Sequence, residues 1–252
     1  MKHLFTPDGE RALQAVMRLR PLLAFDFDGT LAPIVARPDE ARVAETVSSC
    51  LAQLGRDLPV AIITGRSVAD VRRRLGFEPR YVIGNHGAED PTEPPTAHGS
   101  LALDALRQRI AAHAQGLAAA GVAVEDKQFS IALHYRLAPD AGAALVCIEA
   151  LLQGIEPALR RFGGKCVVNV LAEGLPDKGD ALAALLARSG AAAAVFVGDD
   201  VNDEAVFLRA RPPSLTIRIG ADDPLSTAMY FLDGQAQLGL LLQRMLALHA
   251  PR

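Results

Sequence analysis

The sequence contains no tryptophan, only 3 cysteines, and aromatic residues amount to 5%. Cys50, Cys147 and Cys166 are odd in number and lack metal-ligand spacing, which excludes a disulfide framework or a structural zinc site; reduced thiols in a cytoplasmic protein are expected. Charge of one sign is missing too. Lys+Arg number 26 against 29 Asp+Glu, a formal net charge of −3, with no basic stripe of the kind that binds nucleic acid. Long apolar runs are absent: the longest, residues 191–197, is far short of the roughly 20 residues of a membrane span. The first twenty residues carry Lys2, Asp8, Glu10, Arg11, Arg18 and Arg20 in place of an apolar signal core. What is present is a 50% apolar, 22% charged chain, ordinary for a folded protein with a sizeable core in one or two domains. A soluble cytoplasmic protein is expected. A monomer is also expected, with the leucines of 238–248 in its core.

Three apolar runs in the first third, 21–26, 59–64 and 81–84, each end in a polar or glycine-rich turn and alternate with helical patterns over 38–54 and 67–75. The alternation resumes late, with helices predicted over 178–188, 201–209 and 234–249 and strands over 194–197 and 215–219. Continuous apolar strands alternating with helices predict an α/β fold, a Rossmann-like parallel sheet with helices on both faces. The middle differs: a helix over about 100–120, period-two segments at 122–127 and 130–136 that read as a hairpin, a helix over 140–152 and a strand over 165–171. That order predicts a smaller α+β domain, 98–172, inserted into a core formed by 1–97 and 173–252. Hinges are expected near 91–99, which holds the breaker-rich Pro91-Thr-Glu-Pro-Pro-Thr96, and near 172–177.

Asp26-Phe-Asp-Gly-Thr-Leu31 follows the first strand. It places two carboxylates, Asp26 and Asp28, at the strand end where open α/β sheets bind ligands, with Gly29 marking a turn that can bring both to one site. Thr64-Gly65-Arg66 ends the second strand, where a hydroxyl and a freed backbone N–H can hold phosphoryl oxygens. Lys178-Gly179 opens a helix, so an ammonium and a helix N-terminus can face one anion. Gly198-Asp-Asp-Val-Asn-Asp-Glu204 clusters carboxylates suited to a hard divalent cation. Each alone has an ordinary reading as a turn, a helix cap or a solvated loop. Their order at the ends of three strands and a helix start argues for one site.

That order, D-x-D-G-T, T-G-R, K-G and G-D-D-x-x-D, resembles the haloacid-dehalogenase-like phosphohydrolases, whose members with a mobile α+β cap carry it where the inserted segment lies. Residues 25–34, 84–89, 124–127 with Ser130, 134–136 and 198–204 are similar to the trehalose-6-phosphate phosphatases among them, over nearly the whole chain. The resemblance implies a Mg²⁺-dependent phosphatase acting on a small sugar phosphate. Asp26 would be the nucleophile, and Asp28 would act as general acid and base. The metal would be held by Asp26, the backbone carbonyl of Asp28 and Asp199, with Asp203 favoured over Asp200 as a further supporter. Thr64, Gly65, Arg66 and Lys178 would bind phosphate. The resemblance assigns the sugar to Glu125, Lys127, Arg136, Lys165 and Asn169, while Asn85 and His86 either line the entrance or are buried. Two positions depart from the family pattern. Asn169 stands where glutamate is usual, losing a charge-assisted acceptor that Glu173 would restore only from the next turn, and Asn202 replaces a frequent threonine. Asn169 is the best argument for another glycosyl phosphate, such as mannosyl- or glucosyl-phosphoglycerate or sucrose phosphate. A phosphate receiver would lack the insertion and would have no use for Asp28. A decayed sensor would not keep every chemical position filled.

Overall fold

The computed structural model describes residues 1–35, 37–93, 97–155, 158–164, 166–221 and 223–249, with side chains undescribed over 97–102. The chain forms two compact units, Met1–Pro91 with Pro176–Arg252, and Thr92–Leu175. The second is wider at both ends than the expected 98–172.

The strands before the second unit are β1 (Lys2–His3), β2 (Leu22–Phe25), β3 (Val60–Ile63) and β4 (Tyr81–Ile83). Within it lie β5 (Ala123–Asp126), β6 (Ser130–His134), β7 (Leu159–Gly164) and β8 (Val167–Ala172), and after it β9 (Ala194–Gly198), β10 (Leu215–Ile219) and β11 (Tyr230–Leu232). In the first unit seven strands make one parallel sheet in the order β1-β11-β10-β9-β2-β3-β4. Successive side chains of a strand face opposite sides. Leu23 and Phe25 therefore join Ile62, Val195 and Val197 in one apolar layer, under helices α1 (Pro7–Met17), α2 (Glu45–Leu54) and α9 (Leu238–His249). Leu22 and Ala24 join Ala61, Ile63 and Phe196 in the other, under α7 (Lys178–Ser189) and α8 (Glu204–Arg209). β2, β3 and β9 are buried along their whole length for that reason. The short helix α3 (Val68–Arg72) starts at Ser67, whose hydroxyl accepts the Asp70 N–H at 3.3 Å.

Strand order runs outward from β2 through β3 and β4 in one direction and through β9, β10 and β11 in the other. The order reverses between β2 and β9, and it is outside the carboxyl ends of such a strand pair that doubly wound sheets bind ligands.

The second unit carries an antiparallel sheet, β5-β6-β8-β7, with helices α4 (Ala97–Ala112), α5 (Ala114–Ala119) and α6 (Ala141–Leu152). Asp126, Ile131, Val170 and Arg161 form one row across it, and Arg107 of α4 and Glu149 of α6 pair with the row's charged ends. The helices therefore cover that face. The next row, Glu125, Ala132, Asn169 and Phe162, points the other way.

Several expectations need correction. The helix predicted over 38–54 is a 3-10 turn at Pro38–Glu40, an extended 41–44 and only then α2. The Pro38 and Asp39 carbonyls, which a continuing helix would use, are taken instead by the guanidinium groups of Arg66 and Arg74. The helix expected over 100–120 breaks at His113, and those over 201–209 and 234–249 each open with a 3-10 turn, Val201–Asp203 and Gln235–Gln237. Strands β1, β7 and β11 and helix α1 were not expected. Among the described residues no helix is long and apolar enough to cross a membrane.

Candidate active site

Asp26, Thr64 and Asp199 each occupy the first position after a strand, β2, β3 and β9. Parallel register sets Phe25 beside Ile62 and Val197, so Asp26 stands level with Ile63 and Gly198, and Thr64 and Asp199 follow one residue further along the same edge of the sheet. Lys178, the first residue of α7, is 2% exposed, and its Nζ lies 3.0 Å from Asp26 Oδ1 and 2.8 Å from Asp203 Oδ1. Asp203 Oδ2 accepts the backbone N–H of Asp199 at 2.8 Å and of Asp200 at 3.0 Å. One carboxylate thus ties the lysine to the loop that presents Asp199. Asp200 is half-buried and its side chain caps its own 3-10 turn by accepting from Val201 N. Asn202 donates to Asp200 at 3.4 Å.

Burial pushes the Asp26 carboxyl well above the usual carboxylate range; Lys178 pulls it back, and Asp203, Asp199 and Asp28 add to the rise. Burial disfavours the charged Lys178, but Asp203 and Asp26 more than reverse this and raise its pKa. Asp26, Asp199 and Asp203 each offer an oxygen within 4.8 Å of the others, all buried. Three carboxylates against one ammonium leave an excess of negative charge among hard oxygen donors, a set that fits a divalent cation.

Two glycines make this packing possible. A Cβ on Gly29, which has φ +79°, would lie 2.0 Å from Asp199 Oδ2, and one on Gly198 2.3 Å from Asp203 Cγ. Gly29→Ala is expected to displace Asp199, weakening the binding of a divalent cation at this cluster by about tenfold or more, since a supporting contact in a metal site is worth 10–100-fold. Unchanged metal dependence in a titration would count against this placement of Asp199.

Asp28 faces a different partner. Both its oxygens accept from Arg66, Oδ2 from Nε at 2.8 Å and Oδ1 from Nη2 at 2.7 Å. The guanidinium also donates to Asp70 Oδ2 and the Pro38 carbonyl, each at 2.8 Å, and stacks over the Phe27 ring. Arg66, expected to bind phosphate, thus commits its side chain to carboxylates, while its N–H donates to Thr64 Oγ1 at 3.2 Å. Thr64 is fully buried.

Asn85 and His86 are both buried and both have positive φ, 48° and 59°. Backbone bonds from Asn85 N to Arg66 O and from His86 N to Thr64 O staple them to the T-G-R turn, and Asn85 Nδ2 donates to Glu89. A Cβ on Gly65 would meet the His86 ring at 2.3 Å, so the turn needs glycine there. These two residues therefore build the wall of the turn.

In the second unit Glu125 receives His134 Nε2 at 2.9 Å and lies 3.5 Å from Lys127 Nζ. Asn169, two strands away in the same row, is 3% exposed, and Ser130 is fully buried. Arg136 is exposed beyond the end of β6, and Glu173 is exposed in the turn after β8. Lys165 lies outside the described residues. His134 was not foreseen as a partner of Glu125, although strand alternation sets it diagonally across.

The trehalose-phosphatase family profile matches residues 24–235, spanning every one of these positions. The chain belongs to the trehalose-phosphatase family. A trehalose-phosphate phosphatase of Mycobacterium avium is 32% identical over 260 residues, 95% of this chain and 66% of that protein. An uncharacterized glycosyl hydrolase of Mycobacterium tuberculosis is 34% identical over 217 residues, 80% of this chain but 16% of that protein. The chain thus spans just under two thirds of the first relative and a small part of the second. Among solved structures, the C-terminal domain of the Candida albicans trehalose-6-phosphate phosphatase shares the fold with TM-score 0.79 at 21% identity, covering 95% of this chain and 96% of that one. A trehalose-6-phosphate phosphatase related protein gives TM-score 0.72 at 24% identity, covering 90% and 98%. For this trehalose-phosphatase family chain, the Asp70–Arg66–Asp28 chain of contacts escaped the sequence. The one signal for it was arginine and aspartate one helical turn apart in Arg66-Ser-Val-Ala-Asp70.

Proposed function

We propose that the chain hydrolyses trehalose 6-phosphate to trehalose and phosphate, through an aspartyl-phosphate on Asp26. The observation that carries this reading is the buried Asp26–Lys178–Asp203 cluster at the carboxyl ends of β2 and β9, in a chain of the trehalose-phosphatase family. Asp26 Oδ1 is held by the Phe27 N–H at 2.7 Å and by Lys178, which leaves Oδ2 to attack phosphorus. Splitting hydrolysis into transfer to Asp26 and release by water replaces one difficult step with two easier ones. Lys178 and the Thr64 hydroxyl hold the phosphoryl oxygens, and Lys178 offsets the charge brought to three carboxylates. Asp28 gives a proton to the leaving sugar oxygen and later takes one from the water that hydrolyses the intermediate. Mg²⁺, held by Asp26, Asp199 and the backbone carbonyl of Asp28, would neutralise repulsion between carboxylate and phosphate. Asp203 orients Asp199 and Lys178.

The second unit acts as the cap that selects the sugar, with Glu125, Lys127, Arg136, Lys165 and Asn169 as its polar groups. Free thiols at Cys50, Cys147 and Cys166 suit a reducing, cytoplasmic setting. A second reading, a phosphatase for another glycosyl phosphate, is favoured by one observation: the buried Asn169 supplies a neutral amide where the family pattern has a carboxylate.

The deciding experiment measures phosphate release with Mg²⁺ from trehalose 6-phosphate, sucrose 6-phosphate, glucose 6-phosphate and the glycosyl-phosphoglycerates. Preference for trehalose 6-phosphate, abolished by EDTA, is the expected result. Preference for another sugar transfers the cap residues to that substrate, and no release from any of them sinks the reading.

A further inference from the structure

Asp70 lies outside the catalytic cluster, yet three arginines gather on it. It accepts from Arg66 Nη1 and Arg74 Nε at 2.8 Å each, from Arg74 Nη2, and from Arg73 at 3.3 Å. Its carboxylate is 18% exposed. Burial pushes the acid up, and the bonds from Arg74 and Arg66 outweigh it, holding Asp70 well below the ordinary range. Arg66 has five N–H donors in a rigid plane. Two of them grip Asp28, one grips the Pro38 carbonyl and one grips Asp70, with the Phe27 ring against the guanidinium. A planar group fixed along three edges has one orientation, and the carboxylate bidentate to it inherits that orientation. Asp28 needs this support because its side chain is 43% exposed.

We infer that Asp70 is a positioning residue for proton transfer: through Arg66 it fixes the direction in which Asp28 meets the leaving oxygen. The inference rests on the phosphatase reading above. Nothing in the geometry brings Asp70 to the phosphate, so its removal should impair the step that needs an acid and spare the step that does not. Leaving-group dependence separates these. A sugar alkoxide leaves only when protonated, whereas p-nitrophenolate leaves unaided. The ratio kcat/KM reports through phosphoryl transfer to the enzyme, before Asp28 acts as a base, so it isolates the acid role.

The test compares kcat/KM for trehalose 6-phosphate and p-nitrophenyl phosphate in the wild type, Asp70→Ala, Asp70→Asn and Arg74→Ala. For Asp70→Ala the sugar phosphate is expected to lose on the order of 10–100-fold and p-nitrophenyl phosphate about threefold or less, because misdirecting an acid forfeits much of its 10²–10⁴-fold contribution. Asp70→Asn, which keeps one acceptor, should fall between. Turnover of p-nitrophenyl phosphate by each variant certifies its folded site. Arg74→Ala removes the pin on the Asp39 carbonyl and two of the bonds to Asp70 but keeps the Asp70–Arg66 contact, and should lower Tm while shifting the substrate ratio less than Asp70→Ala does. Equal losses on both substrates in Asp70→Ala, or a ratio shifted as far by Arg74→Ala, would overturn the inference while leaving the phosphatase reading standing. A wild type inactive on both substrates removes the reading and the inference together.

Discussion

Asp26→Asn is expected to abolish phosphate release, with kcat lowered by at least about 10³–10⁴-fold, because it removes the proposed nucleophile. The amide matches the carboxylate in shape, so the Phe27 N–H keeps its acceptor and Lys178 keeps Asp203 at 2.8 Å. Stability should move the other way. Burial pushes the Asp26 carboxyl above its ordinary range, so in metal-free protein its contribution is fully present below the unfolded value of about 3.9 and is lost as pH rises through the folded value. At neutral pH in EDTA the charged form is therefore a liability that the amide lacks. Thermal melts should place the variant no lower than the wild type in EDTA, and adding Mg²⁺ should raise the wild type more. Residual turnover above roughly 0.1% of wild type, the most that a 10³-fold loss leaves, would mean that Asp26 is not the nucleophile.

Lys178→Met should do what the first variant does not, and cost both activity and stability. The ammonium sits between Asp26 and Asp203 with 2% exposure, so its loss leaves two buried carboxylates without their shared counter-charge. Breaking a buried pair by removing one partner costs about 3–5 kcal/mol, which urea denaturation will read as a lower midpoint at unchanged slope. Phosphate release should fall by on the order of 10²–10³-fold, the loss seen when one preorganised donor to a developing charge is removed. Adding Asp203→Asn should restore part of the stability and none of the activity, since it relieves the orphaned charge without replacing the cation. A double variant no more stable than Lys178→Met alone would show that Asp203 acts through the loop and not through charge.

The strands that carry the site were legible because a parallel sheet covered on both faces needs continuous apolar runs, and Leu22–Phe25, Val60–Ile63, Ala194–Gly198 and Leu215–Ile219 are such runs. The carboxylates were legible because chemistry gathers where those runs stop. What escaped has physical causes. β7, Leu-Arg-Arg-Phe-Gly-Gly, is an edge strand whose charge and glycine pattern reads as loop, and β11 is only three residues long, held between β10 just before it and β1 far away in sequence. Helix α1 did carry local signals, a Thr6 cap and Pro7 at its first position, with Leu13, Val16 and Met17 on the buried face. The 38–54 error is tertiary: no local pattern shows that arginines at 66 and 74 capture carbonyls of the turn at 38–40. The same capture explains Arg66. A neighbouring carboxylate and a helix one turn further hold its guanidinium, and neither is visible in the T-G-R motif itself.

The catalytic unit is interrupted, and the interruption sets an order of synthesis. Asp26 and its strands β2, β3 and β4 leave the ribosome first, then the whole of Thr92–Leu175, and only afterwards Lys178 and β9. In the interval β2 presents an open edge on the side where β9 will pair, flanked by fully buried-type residues with no cover. Asp26 then has neither the lysine nor the second carboxylate loop beside it. The nascent half-sheet thus carries an open edge and lacks both Lys178 and Asp203, and the pairing of β9, with α7, closes the edge and completes the charge cluster.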